Sequence, residues 1–426
     1  MRYRDRSMLT LVWIVQYIHQ STGESISTSS TGLRTYERYE PHPCIPVEGR
    51  TALVIGQDYD SISNYTQQVK DNSAPFGLMS YTALKNEYGE LSGTIYPIDY
   101  GSGVEWSEGL SKRYPQSSIQ LGLWIVGQCA GIANGTYDAI IDRLASYIKQ
   151  SRSDYFLRIG YEFDSALNNY PVADYVSAYQ RIVSRFRSLG VRNIKFVWHA
   201  AGFGPRDSLE YQDWFPGPSF VDLCGVSLFQ QPYGDMTHPD RFALFCSLRG
   251  IPIMIAESTP YGGIVERNAT NKDGATGDTW STWFSVVLAY IDRHEVRMWS
   301  YINCDWNSQD MWRKNHAPGE QWGDTRIEAH PVLYSRWVDE VLRKERFMTR
   351  YPSTEKKFVD NCMPVDRNLS DDEPPRNGLW EFLSRVWTFL SYAVSYILLV
   401  SFIVIAVAVL YYQICIVPTN DYVIIP

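Results

Sequence analysis

The sequence predicts an α/β protein built as a (β/α)8 barrel, on three observations. Eight apolar runs of strand length recur between residues 51 and 302. Stretches with helical spacing of apolar residues separate most of them, and acidic, amide or aromatic residues gather where the runs end. In such a barrel the loops at the carboxyl ends of the strands form one face, and the chemistry collects there. An open doubly wound sheet has the same alternation. As a nucleotide-binding fold it would carry a glycine-rich phosphate loop, which this sequence lacks.

Taken in order, the first run spans 51–58 and ends in Asp58, and a weaker second run at 93–99 ends in Asp99. The third is 118–126, with a helix predicted over 137–149; the fourth is 155–160, with a helix over 172–188. The fifth, 194–198, delivers Trp198 and His199, and the sixth, 221–229, ends in Phe229 before a helix over 239–248. The seventh, 251–256, leads into Glu257 and then a helix over 279–293. The eighth, 297–302, carries Tyr301 and is followed by Asp305 and Trp306, with a closing helix over 331–347. Trp312 and Trp322 lie in the polar segment between them.

The chemistry centres on Leu-Arg-Ile-Gly-Tyr-Glu-Phe-Asp at 157–164. Alternation along a strand would put Arg158, Gly160 and Glu162 on one face, a carboxylate at the strand mouth with a fixed cation below it. The run ending in Glu257 repeats the plan. Two carboxylates ending different strands are what a glycosidase needs, one as proton donor and one as nucleophile. Asp58, Asp99, Arg158, Tyr161, Trp198, His199, Phe229, Tyr301, Asp305, Trp306, Trp312 and Trp322 are the expected substrate contacts, since flat rings stack on sugars while acids, amides and His hold hydroxyls. For any single Trp a place in the core is the alternative. His199 has no Cys or His companion at ligand spacing, so neither a metal nor a cofactor is expected.

The net charge of -8 without a basic block argues against nucleic acid as a partner, and 14 Trp with 30 Tyr suit a polysaccharide ligand as well as a large core. Arg2, Arg4 and Arg6, an apolar stretch at 8–18 and small polar residues after it have the order of a secretory signal peptide, read as 1–20. A disordered or amphipathic leader is the alternative. A polar segment follows over 21–44, the barrel over 45–348 and a charged, Pro-containing stalk over 349–385. Residues 386–417 are long and apolar enough to span a membrane as a single helix, leaving a short tail over 418–426 and the barrel outside the cell. A lipid anchor attached near Asn377 is the rival reading. Sequons at Asn64, Asn134, Asn268 and Asn368, and six cysteines before the apolar tail, agree with secretion. The cysteine spacing fits disulfides without fixing their pairing, and buried free thiols at Cys129 or Cys224 stay open.

Arg158 with Glu162, the stretch Trp-Phe-Pro-Gly-Pro-Ser-Phe-Val-Asp at 214–222 and Glu257 together resemble glycoside hydrolase family 26, over about residues 51–347. The resemblance implies a retaining (β/α)8 enzyme acting on β-mannan, β-glucan or β-xylan, with Glu162 as acid/base and Glu257 as nucleophile. Retention implies carboxyls about 5 to 5.5 Å apart. The chain departs from the family pattern in having Tyr161 where His usually precedes the acid/base, and Phe229 where a Tyr usually ends the sixth strand. A glycan-binding protein on a degenerate barrel, or an adhesion ectodomain, are the rivals from other classes.

Overall fold

The computed structural model describes residues 43–69, 74–205, 209–266, 278–314, 322–352 and 361–362. The expected signal peptide, membrane helix and tail, and nearly all of the 21–44 and 349–385 segments, lie outside these residues. Among the described residues no helix is long and apolar enough to cross a membrane.

Eight parallel strands close into a barrel: β1 (Thr51–Gly56), β2 (Gly77–Ala83), β3 (Ser118–Trp124), β4 (Tyr155–Ile159), β5 (Ile194–Ala200), β6 (Leu223–Leu228), β7 (Ile253–Ser258) and β8 (Met298–Ile302). Closure is made by β1 against β8, with Ala52 beside Met298 and Gly56 beside Ile302. Every strand is covered on both faces, and the alternation sorts its residues into two apolar clusters. Ala52, Val54, Met79, Phe156, Val197, Leu223, Met254 and Met298 fill the interior. Leu53, Ile55, Leu78, Leu121, Leu157, Trp198, Val226, Ile255 and Tyr301 face the helices. The interior also holds a polar strut. Gln120 of β3 donates to the carbonyl of Ala256 across the barrel at 2.6 Å and accepts from Ser300 of β8 at 2.5 Å.

The helices pack by their apolar stripes. Val172–Ser188, which follows β4, buries Tyr175, Ala178, Tyr179, Ile182, Val183 and Phe186, the three-and-four spacing of one helical face. Its bounds are those predicted from sequence. The closing helix ends earlier than predicted: Pro331–Trp337 passes into a wider turn, and Phe347–Met348 pairs beside the start of β1.

The second strand corrects the sequence reading. Gly77–Ala83 takes that place, whereas in the 93–99 run only Ile98–Asp99 is extended, in a hairpin with Val104–Glu105. The reason is what covers β2. Its outward Ser80 and Thr82 meet the 92–105 segment and not an apolar helix face: Ser80 donates to Glu105 at 2.9 Å and Thr82 to the Ser92 carbonyl at 2.8 Å. A strand whose outer face is satisfied by hydrogen bonds shows no continuous apolar run, and a search for such runs passes over it.

Cys44 is bonded to Cys362, and Cys224 on the outside of β6 to Cys246 in the helix Thr237–Ser247; Cys129 and Cys304 are buried free thiols. Asn64 and Asn134 are exposed, and the sequons at Asn268 and Asn368 lie outside the described residues. The Cys44–Cys362 bridge spans 318 positions and ties the two ends of the described barrel together beneath β1. Replacing both cysteines by serine is expected to lower stability by about 2–5 kcal/mol. Thermal or denaturant unfolding of the variant beside the parent checks this.

Candidate active site

Glu162 does not continue the strand, contrary to the alternation argument. β4 ends at Ile159, and the chain leaves through Gly160 at φ 54° and Glu162 at φ 52°, both left-handed. A side chain at position 160 would meet the Tyr175 ring at 2.8 Å, so only glycine turns there. The strained backbone at Glu162 is held by its neighbours. Asn168 donates to the carbonyls of Tyr161 and Glu162 at 2.9 and 3.1 Å. The Phe163 amide donates to the His199 carbonyl, and the Phe163 ring stacks on Trp198 at 4.4 Å.

Glu257 reaches the barrel mouth through a different irregularity. Met254 and Ala256 point inward and Ile255 outward, so strict alternation would send Glu257 out toward the helices. The register between β6 and β7 steps at this point: Val226 pairs with Ile255, but Ser227 pairs with Glu257, leaving Ala256 as an extra residue. This β-bulge resets the phase and turns the carboxylate inward.

Against Glu257 lies Arg158, an inward residue of β4 and wholly buried. It donates to Glu257 Oε1 and sits over the rings of Tyr81 (4.8 Å) and Tyr161 (5.3 Å). Gly122 on β3 makes the room, since a Cβ there would lie 2.9 Å from the guanidinium. The same guanidinium approaches His199 Nδ1 at 3.4 Å. Arginine has no acceptor, so His199 receives at Nδ1 and carries its proton on Nε2, which donates to Ser227 Oγ at 2.9 Å. Ser227 then donates to Glu162 Oε1 at 2.7 Å. Burial, and then the nearby Arg158 charge, hold His199 well below its ordinary pKa, hence neutral. One cation is therefore linked to both acids, Glu257 directly and Glu162 through two neutral donors.

The two acids are not equivalent. Burial, and next the charge of Glu257, push the Glu162 carboxyl up from 4.5 to about 8, against the lowering effect of the Ser227 hydrogen bond. At neutral pH Glu162 keeps its proton. A half-buried protonated carboxyl facing a carboxylate held by a guanidinium is an arrangement able to donate a proton and attack with an anion at one centre.

Above them opens a cleft of about 870 Å³. Of the expected substrate contacts, Tyr161, Phe229, Trp306, Trp312 and Trp322 line it together with both glutamates. Trp322 stacks on the almost fully buried Trp306 at 4.8 Å and meets Phe229 edge-on at 5.0 Å. Arg158 and His199 lie beneath the cleft floor. Trp198 and Tyr301 are corrections: each is the neighbour of an inward residue, so alternation turns it outward into the helix-facing core. Trp198 stacks on Phe163 and packs on Phe215, Phe242 and Phe245, and Tyr301 donates to the Thr325 carbonyl at 2.6 Å. Asp58, Asp99 and Asp305 are also displaced, lining a separate polar depression. Asp58 caps the helix Tyr59–Gln68 by accepting from the amides of Asp60 and Ser61. Sequence reasoning missed Tyr81, Trp124, Asp164, Phe203 and Ser227. Ser227 was within reach, because it stands two residues before Phe229 on a strand of regular alternation.

Fold and site together define the class: a closed (β/α)8 barrel with paired glutamates at the carboxyl ends of its fourth and seventh strands. No family model matches the chain. Over 316 residues the chain is 28% identical to a β-1,3-xylanase of an Alcaligenes species, covering 71% of this chain and 66% of that protein. It is likewise 28% identical to the β-1,3-xylanase TXYA of a Vibrio species, covering 71% and 67%. The chain thus spans about two thirds of the length of these curated relatives. Similar solved structures include a GH26 β-mannanase from Bacteroides ovatus (TM-score 0.49, 12% identity, 72% of this chain and 92% of that one). An endo-β-1,4-mannanase double mutant from Cellulomonas fimi is another (TM-score 0.47, 13% identity, 73% and 74%). Glycosidases, family 26 among them, are what this chain resembles.

The proton on Glu162 has a consequence for stability. Between pH 4.5 and about 8 the folded chain binds a proton that the unfolded chain has lost, so this group's contribution falls as pH rises through that window. Glu162→Gln removes the liability. Its unfolding midpoint should match the parent at pH 4 and exceed it at pH 9, as read by thermal unfolding at the two values.

Proposed function

We propose that this chain is a retaining glycoside hydrolase that cleaves β-linked polysaccharide by double displacement. The observation that carries the reading is the division of labour around Arg158: a carboxylate fixed on the guanidinium, and a carboxyl that keeps its proton at neutral pH. Glu162 gives its proton to the leaving glycosidic oxygen while Glu257 attacks the anomeric carbon, forming a glycosyl ester. Glu162, now ionised, takes a proton from water, whose oxygen displaces Glu257 and regenerates both groups. The rings of Trp322, Trp312 and Phe229 offer stacking surfaces for sugar faces along the cleft.

β-1,3-Xylan comes first among candidate substrates because the two relatives at 28% identity are named for it, followed by β-mannan and mixed-linkage β-glucan. The two disulfides and the N-terminal leader support secretion, and the uncharged run at 386–417 supports a single-span anchor with the barrel outside the cell.

Reducing-sugar release by the purified full chain from these three polymers tests the reading. Release is expected from at least one. Glu162→Gln should lower kcat about 10²- to 10⁴-fold, the usual weight of general acid catalysis, and Glu257→Gln at least as much. Glycan binding that survives both substitutions, with no release by the parent, would instead establish a binding protein.

A further inference from the structure

Asp164 lies two residues beyond Glu162 on the same turn and lines the same cleft. It is 3% exposed. Its Oδ1 accepts from the Ala201 amide at 2.6 Å, which ties the turn after β4 to the loop after β5. Its Oδ2 is buried without a hydrogen-bond partner. The titratable groups facing it are Glu162 on its own turn, Tyr175 from the helix Val172–Ser188 and Tyr211 from the helix Tyr211–Trp214. Among the described residues no Arg or Lys pairs with it. Glu162 in turn faces Glu257, Arg158, Tyr161 and Ser227 besides Asp164. A carboxyl tethered by one backbone amide, with no compensating cation among the described residues, is an unusual neighbour for a residue that must hold a proton.

We propose that Asp164 is a positioning residue acting through Glu162: its buried carboxylate, on the same turn, keeps the proton on the acid/base glutamate as the pH rises. The inference rests on the glycosidase reading for its kinetic consequence but not for the titration itself. Burial pushes the Asp164 carboxyl up to about 6, so it ionises before Glu162 does, and the negative charge it then adds raises the proton affinity of Glu162 further. The site thereby opposes its own deprotonation across neutral pH.

Asp164→Asn tests this, because the amide oxygen can still accept from Ala201 while the charge is gone. The alkaline limb of kcat/KM should move down by about half a pH unit, so that the ratio of variant to parent activity is about threefold lower at pH 9 than at pH 5, whatever its value at pH 5. Loss of activity at every pH with an unmoved limb would make Asp164 a structural tether and overturn the proposal. Carbon-13 carboxyl titration of the parent by nuclear magnetic resonance needs neither a stable variant nor turnover. The Glu162 signal should show a small inflection near pH 6 before its main one, and a single inflection would overturn the proposal even if hydrolysis is confirmed. A double inflection in a chain that cleaves no polymer would uphold the coupling while the glycosidase reading fails.

Discussion

The site depends on one buried guanidinium. Removing Arg158 from water costs several kcal/mol, and the structure offsets this by setting it against Glu257 and between the faces of two tyrosines. Taking away either partner would leave an unpaired charge in the barrel mouth, a loss of about 3–5 kcal/mol. Much of the surrounding architecture follows from that constraint. Gly122 is small because the guanidinium needs the space, and His199 stays neutral because it is buried and, next, because a second cation there would be repelled.

A barrel strand offers only two directions for a side chain, and both glutamates escape that choice by a local departure from regular backbone. At Glu162 the strand stops and two left-handed residues swing the acid over the mouth; at Glu257 one extra residue shifts the phase. Each departure is fastened by ordinary packing, the first by Phe163 on Trp198 and the second by the Gln120 strut that binds the Ala256 carbonyl. The precision of the pair is thus borrowed from the hydrophobic core and one interior amide.

This separates what was legible from what was not. Seven of the eight strands and the helix Val172–Ser188 could be read because burial on both faces leaves apolar runs and three-and-four spacing in the sequence. β2 was hidden because Glu105 and the Ser92 carbonyl, not an apolar helix face, satisfy its outer side. The carboxylates stood out as acids ending apolar runs, but the bulge that aims Glu257 has no sequence signature of its own. Trp198 and Tyr301 went astray for the opposite reason. Proximity to a strand end points them to the mouth, but alternation assigns them to the core.

The bridge between Cys44 and Cys362 makes the barrel a covalent ring. The peptide segments on either side of it, before residue 44 and after residue 362, are both fastened at one junction, next to the beginning of β1 and on the floor opposite the cleft. A single peptide-bond cut anywhere within the ring turns it into a line yet separates nothing. Release of the barrel from whatever follows residue 362 takes either a cut outside the ring or reduction of that one bond as well.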